Sequence, residues 1–92
     1  MEERLRFVVF LQETVATAGS QVILEVTLNR EHEIIWQKDG EEITFDERMK
    51  LITDGRTQSI VIEDCILDDA AEYSATIPTD ISAATLVVEG IN

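Results

Sequence analysis

Cysteine is almost absent from this 92-residue chain, whose single thiol belongs to Cys65. One cysteine cannot form an internal disulfide, whereas small secreted domains usually depend on several. We therefore expect a protein of a reducing compartment that is held together by packing alone. No Lys or Arg adjoins Cys65 in the sequence, and free cysteine packs as a small hydrophobe, so its thiol is predicted to be a buried structural group.

Basic residues are also scarce, with 7 Lys and Arg against 19 Asp and Glu and a net charge of -12. This charge repels phosphate backbones and anionic lipids, so we predict no nucleic-acid or membrane partner and expect a basic protein surface to be favoured. No run approaches the roughly 20 apolar residues of a membrane-spanning helix. The residues after Met1 lack the order of a signal peptide. Hydrophobic residues make up 45% of the chain, which predicts a folded core rather than disorder.

Sequence motifs for catalysis and metal binding are missing. The only histidine, His32, stands between two glutamates and is predicted to be solvated. Asp68 and Asp69 are neighbours in a predicted turn and would point apart. There is no phosphate-binding loop, dinucleotide-binding turn or nucleophile elbow. The acidic stretch from 39 to 47 lacks calcium-loop spacing and is predicted to be a solvated edge. We therefore predict no enzyme activity, no cofactor and no metal site.

Alternation of apolar and polar residues is the dominant pattern. Val22, Leu24, Val26 and Leu28 are apolar at every second position, which is typical of a half-buried strand. The same period returns at 34–36, 60–62, 73–77 and 84–88, and the segments 7–11 and 15–17 resemble a broken first strand. Turn sequences at 38–40 and 54–55 separate these runs. Pro occurs once and no linker interrupts the chain. Short punctuated strands predict one β-sandwich or barrel, with at most a single helical turn at 67–71.

Three separated segments together resemble strands B, C and F of an intermediate-set (I-set) immunoglobulin domain: 19–26 (Gly-Ser-Gln-Val-Ile-Leu-Glu-Val), 36–40 (Trp-Gln-Lys-Asp-Gly) and 69–75 (Asp-Ala-Ala-Glu-Tyr-Ser-Ala). The resemblance implies an all-β immunoglobulin-like sandwich of two antiparallel sheets with Greek-key topology. The cysteine positions of the family hold Val26 and Ala75, which implies apolar packing where other members have a disulfide. The implied core residues are Val26, Trp36, Cys65, Tyr73, Ala75 and Leu86.

Residues 48–65 are similar to strands D and E of intracellular muscle domains of the titin, obscurin, twitchin and myosin-binding protein C type. In such domains a basic residue that opens strand D often pairs with the Asp of the F-strand motif. The resemblance therefore implies an ion pair between Arg48 and Asp69. It also implies that residues 1–92 are a single I-set domain cut from a larger multidomain protein.

The resemblance implies a non-enzymatic structural and protein-interaction module that spaces tandem immunoglobulin or fibronectin domains in the cytoplasm, at the sarcomere of the myofibril. Expected partners are myosin, actin, titin or another sarcomeric protein. Two alternatives remain: an extracellular adhesion or receptor domain, and an immunoglobulin domain that flanks a giant muscle kinase. Val26 and Ala75 argue against the extracellular alternative, because such domains normally keep both cysteines.

Alternation also predicts which residues lie on the outer face of strands C, F and G. This set is uncharged and consists of Ile35, Gln37, Ser74, Thr76, Thr85 and Val87. Outward apolar residues are common on monomers, so the face is either ordinary surface or a site that a partner covers. Phe10 is expected to face outward from the first strand, at a contact with a neighbouring domain or at a partly covered edge.

Overall fold

Strands form at the alternating segments, at 49–54 as the family resemblance predicts, and also at 41–42, where no strand is predicted. The computed structural model describes residues 4–90. Within this range nine strands form: β1 (Phe7–Val9), β2 (Thr14–Thr17), β3 (Val22–Leu28), β4 (Ile35–Lys38), β5 (Glu41–Glu42), β6 (Met49–Asp54), β7 (Thr57–Ile62), β8 (Ala71–Ile77) and β9 (Asp80–Glu89). A single 3₁₀ turn, Leu67–Asp69, joins β7 to β8. In the part of the chain that the structure describes, no helix is long and apolar enough to span a membrane.

The strands form two sheets that face each other. One has the order β1-β3-β7-β6 and the other the order β2-β9-β8-β4-β5. Neighbouring strands are antiparallel except β2 and β9, which run parallel. This exception arises because β1 and β2 are the two parts of the broken first strand, and the chain passes from one sheet to the other between them. The predicted all-β sandwich is confirmed, and its non-consecutive strand order is that of a Greek key.

The turn between β4 and β5 explains why Asp-Gly occurs there. Asp39 and Gly40 both have positive φ angles, 50° and 84°, as a two-residue hairpin turn of type I′ requires. The Asp39 N–H donates to the carbonyl of Glu72 at 2.8 Å, and the Asp39 carboxylate accepts the Glu72 N–H at 3.0 Å. The turn is therefore tied to β8 as well as to its own strands.

The core centres on Trp36, which is 3% exposed. Its direct neighbour across the β4–β8 ladder is Ala75, whose small side chain leaves room for the indole. The indole N–H donates to Oε1 of Gln58 at 3.4 Å, and Gln58 stands opposite Val26 in the β3–β7 ladder. Val26 and Ala75, the two positions where the resemblance places cysteines, thus lie on opposite sheets and belong to the same core cluster as this indole. Both are fully buried.

Val61 is covered although it lies on the outer face of its sheet. Its neighbours Ile60 and Ile62 face the core, yet Val61 itself is only 8% exposed. Val61 lies on a central strand, with Ile23 and Lys50 as its register partners on the two sides. Longer side chains on the adjacent strands therefore cover it, and its position on the outer face does not make it accessible.

Replacing Trp36 by Ala is expected to lower the free energy of unfolding by about 3–5 kcal/mol, because it removes a large buried side chain and leaves a cavity between the sheets. Urea unfolding of the purified chain measures this. The control is Ile35→Ala, one residue away on the outer face and 53% exposed, which should cost about 0.5 kcal/mol or less. A loss below about 1 kcal/mol for Trp36→Ala would contradict the assigned core.

Candidate protein-binding face

The outer face of the five-stranded sheet is built by β4, β8 and β9. Register across these strands arranges its side chains in rows, the first formed by Ile35, Thr76 and Ile81 and the second by Gln37, Ser74 and Ala83. Thr85 and Val87 continue the face along β9, and Val87 stands opposite Val15 of β2. The sheet thus brings the predicted face residues together on one surface.

Three aliphatic side chains dominate the accessible part of this face. Ile35 is 53% exposed, Ile81 57% and Val87 44%. The sequence analysis does not include Ile81 in this face, because the predicted alternation starts only at Ala84. The strand itself begins earlier, at Asp80. The position of Ile81 an odd number of residues before Ala84 is the signal that could have found it, since such residues face outward.

Ser74 is less accessible than the alternation predicts. Register places it on the predicted face, but it is only 9% exposed. It lies on the central strand β8, between Gln37 on β4 and Ala83 on β9. A short side chain in the middle of a sheet is covered by its neighbours, so Ser74 contributes little to the surface that a partner could contact.

Acidic residues border this uncharged surface. Glu42 pairs with Gln37 at the β5 edge, and Glu72 pairs with Thr85 across β8 and β9. Both glutamates are exposed. The face therefore has an apolar and hydroxyl-bearing centre and a negative border, an arrangement that favours a partner with basic residues around an apolar contact.

Arg48 and Asp69 form a bidentate ion pair at one end of the sandwich. Nη1 of Arg48 lies 2.6 Å from Oδ2 of Asp69, and Nη2 lies 2.9 Å from Oδ1. The Asp69 side chain is 3% exposed, whereas that of Arg48 is 37% exposed. The guanidinium holds the pKa of Asp69 below its usual value despite the cost of burial, and the Ile66 N–H, which donates to Oδ2, acts in the same direction. The pair ties β6 to the segment that enters β8.

Tyr73 is attached to the same corner. Its hydroxyl donates to the carbonyl oxygen of Asp69 at 2.6 Å, and the side chain is fully buried. Burial raises the pKa of this phenol well above its ordinary value, and the nearby Asp69 carboxylate adds to the shift. The hydroxyl therefore serves as a fixed hydrogen-bond donor at the start of β8.

Cys65 and Phe10 lie elsewhere. The Cys65 side chain is fully buried, and its Sγ donates to the carbonyl of Thr17 at 3.3 Å. Its backbone bonds to Gly19 and Ser20, so it joins the end of β7 to the turn before β3. Phe10 is 46% exposed, with its ring 5.6 Å from that of buried Phe7.

Metal ligands are not assembled in the described chain. Between residues 4 and 90, no group of three or more His, Cys, Asp or Glu side chains is placed to hold a metal ion. His32 is exposed, and its Nδ1 lies 2.8 Å from the carbonyl oxygen of Glu33. The absence of a metal site remains a prediction from the sequence.

Comparison with known proteins identifies the class to which this sandwich belongs. Residues 5–89 match the immunoglobulin I-set domain family. The match covers nearly the whole chain, so the protein belongs to the immunoglobulin I-set family.

Its relatives include very long proteins. Over 80 residues the chain is 36% identical to titin of Drosophila melanogaster, a match that covers 86% of this chain and, rounded, 0% of titin. Over 82 residues it is 30% identical to the fast-type myosin-binding protein C of Gallus gallus, covering 86% of this chain and 7% of that protein. The chain therefore spans less than a tenth of the length of either relative.

Solved titin domains share the fold. The I9–I11 tandem of titin superposes with a TM-score of 0.90 at 28% identity, covering 95% of this chain and 34% of the tandem. Titin domain I10 gives a TM-score of 0.89 at 24% identity, covering 94% and 99%. The chain is an immunoglobulin domain homologous to domains of titin and myosin-binding protein C.

Asp69→Asn is expected to destabilise the chain by about 1–3 kcal/mol at neutral pH, because the buried group that accepts both hydrogen bonds from Arg48 loses its charge. The folded pKa of Asp69 lies below the ordinary value of 3.8, so its contribution is complete above that pH and is lost as pH falls through the folded pKa. Urea unfolding at pH 7 and at about pH 3 measures the free energy of unfolding of wild type and variant. The difference between these two free energies should be smaller at the lower pH.

The matched control is Asp68→Asn, which removes the adjacent exposed carboxylate. It should leave stability nearly unchanged at both pH values. An equal effect of the two substitutions would show that general charge, rather than the Arg48 contact, is responsible.

Tyr73, the only tyrosine in the chain, should not ionise near its ordinary pH of about 10 while the protein is folded. Its phenolate absorbance is expected to appear only when alkali unfolds the chain, because the folded pKa is raised by burial. The unfolded state releases this proton first, so stability falls as pH rises above about 10. Normal titration of the phenol with circular dichroism still native would contradict the buried corner.

Proposed function

We propose that this I-set domain is a non-enzymatic structural and protein-interaction module of a sarcomeric or cytoskeletal filament protein. The observation that carries the proposal is its homology to single domains of titin and myosin-binding protein C, of which it spans only a small part. Immunoglobulin domains of this type are generally non-enzymatic. No cofactor is proposed.

The architecture supports a role as a rigid spacer. Core side chains from both sheets form one continuous cluster, from Phe7 near the start to Val88 near the end. The Arg48–Asp69 pair and the Tyr73 hydroxyl fix the corner where the chain enters β8. A closely packed sandwich of this kind keeps its shape in a tandem array, so we propose that residues 1–92 are one unit of a larger multidomain chain, with immunoglobulin or fibronectin domains as neighbours.

Partner binding is proposed for the outer face of β4, β8 and β9. Its exposed aliphatic residues Ile35, Ile81 and Val87 would form the apolar centre of a contact, and the glutamates around them would steer a basic partner. Thr76, Thr85 and Gln37 supply hydrogen-bonding groups on the same surface. We propose myosin, actin, titin or another sarcomeric protein as the partner. One relative is named as a myosin-binding protein, which supports testing myosin first.

A cytoplasmic location at the sarcomere is proposed from the same relatives and from cysteine usage. The free thiol of Cys65 is buried, and Val26 and Ala75 occupy the usual disulfide positions. Packing around Trp36 needs no oxidising environment to form. A domain with these properties suits reducing cytoplasm better than the cell surface.

The test is binding to filaments. We expect the chain to co-sediment with purified myosin or actin filaments, or to bind titin fragments, and to show a striated pattern when expressed in muscle cells. The variant Ile81→Ser/Val87→Ser should weaken binding about tenfold or more, since it removes two exposed aliphatic contacts of the face.

The matched control is Ile23→Ser, which removes an isoleucine that is 54% exposed on the outer face of the other sheet. It should bind as wild type does. Diffuse localisation without binding to any of these proteins would contradict the proposed function. An equal loss in the control variant would exclude the proposed face.

A further inference from the structure

A groove of about 670 Å³ opens between the two sheets on the side of β5 and β6. These are the edge strands of the five-stranded and the four-stranded sheet. The groove lies within the roughly 300–1,000 Å³ range of clefts that bind ligands in proteins. Its lining comes from 31–36, from 42–45 and from β6 and β7, so both sheets contribute to it.

The groove exists because β5 is too short to cover β6. β5 has two residues, whereas β6 has six. Leu51 pairs with fully buried Ile60 and so lies on the inner side of its sheet, yet it is 38% exposed. Thr53, two residues further along the same side, is exposed as well. The inner face of β6 is thus open to solvent from Leu51 onward, whereas Met49 at its start is buried in the core.

The groove has an apolar part, its floor, and hydrogen bonds within the domain hold the segments around it. Half-buried Ile43 and Phe45 line this floor together with Leu51 and buried Trp36. The Ile43 N–H donates to the Trp36 carbonyl at 3.0 Å. On the other side, Nε2 of Gln58 donates to the carbonyl of His32 at 2.7 Å. These bonds link the segments that line the groove, so its shape is present without a ligand.

The rim is negative. Glu31, Glu33 and Glu42 belong to the lining, and no Lys or Arg does among the residues that the structure describes. The Glu31 carboxylate reaches Gly55 in the turn between β6 and β7. Its Oε1 lies 3.8 Å from the position that a Cβ atom of residue 55 would occupy. The whole chain carries a net charge of -12. An apolar floor with three carboxylates around it suits an occupant that is both cationic and apolar.

We propose that this groove binds a short basic segment of a partner protein, with one aliphatic or aromatic side chain inserted against Leu51, Ile43 and Phe45. Lys or Arg residues beside that anchor would pair with Glu31, Glu33 and Glu42. The inference rests on the proposed role in protein binding, but it assigns a second surface and states the chemistry of its partner.

Charge complementarity decides between this occupant and the others. A second copy of the chain would bring another strongly acidic surface to an acidic rim, which repulsion disfavours. An acidic or uncharged segment would cover the glutamates without pairing them, at a cost in desolvation. A basic segment without an apolar residue would leave the floor unfilled and lose the burial of apolar surface.

The test uses the full chain and a lysine-rich peptide that carries one central Leu. Isotope-labelled protein is titrated by NMR, while the fluorescence of Trp36, the only tryptophan, is followed in parallel. We expect shifts confined to the groove residues around Leu51 and Ile43. A peptide with Ser in place of Leu should bind about tenfold more weakly, and one with Glu in place of Lys should not bind. Salt should weaken binding of the first peptide, because the rim charges are exposed.

Paired variants separate the floor from the rim. Leu51→Ser should weaken binding about tenfold, whereas Ile52→Ser, next on β6 but on its outer side and 50% exposed, should have no effect. Glu31→Gln/Glu33→Gln should weaken binding severalfold, whereas Glu13→Gln/Glu89→Gln, which removes equal charge far from the groove, should not. The rim variant leaves the core untouched, so it tests the proposal even if Leu51→Ser unfolds.

Three results would overturn the proposal: no binding of the Leu-containing peptide, shifts centred on Ile81 and Val87 instead of the groove, or equal effects of the paired and control variants. Filament co-sedimentation distinguishes this failure from failure of the proposed function. Loss of peptide binding with filament binding intact would refute the groove alone. Peptide binding without filament binding would support the groove while refuting the filament role.

Discussion

The structure depends on one buried contact: the indole of Trp36 between two sheets that no disulfide bond joins. Ala75 lies beside the indole on the same sheet, and the indole N–H donates to Gln58 on the opposite sheet. Gln58 would be costly to bury without partners, but its Oε1 accepts from the indole and its Nε2 donates to the His32 carbonyl. The indole thus joins the apolar core to a satisfied polar link between the sheets. Apolar packing and this hydrogen-bonded link hold the two sheets together at the place where many family members have a disulfide.

Two further attachments keep the sandwich closed around that core. The Arg48–Asp69 pair and the Tyr73 hydroxyl both converge on Asp69, one through its carboxylate and the other through its carbonyl. Most of the negative charge of the protein is solvated, whereas this carboxylate is buried and paired. The carboxylate of Asp69 therefore stabilises the corner where the chain enters β8 from within the protein, unlike the exposed carboxylates of the surface.

Strand β4 connects the core to both candidate surfaces. Trp36 points inward from it, while its neighbour Ile35 lies on the outer face of the sheet and also reaches the lining of the groove. The extent of each surface depends on strand length. The long β9 extends the outer face to Ile81, and the short β5 leaves the inner side of β6 uncovered. Strand β4 thus places two different surfaces close together. The outer face of the sheet is uncharged, whereas the groove is apolar at its floor and has carboxylates at its rim.

Sequence by itself determined the alternating strands, though not β5 or β6, and also the Asp39–Gly40 turn, the absence of an internal disulfide and the direction of most side chains, because alternation and turn chemistry are local properties. Family resemblance added the sandwich topology and pointed to Arg48 and Asp69. Only the tertiary structure decided how much of each residue is accessible. Ser74 and Val61 face outward but are covered, whereas Leu51 faces inward but is exposed. Accessibility depends on the size and length of neighbouring strands that are distant in the sequence, and the period of a single strand carries no information about them.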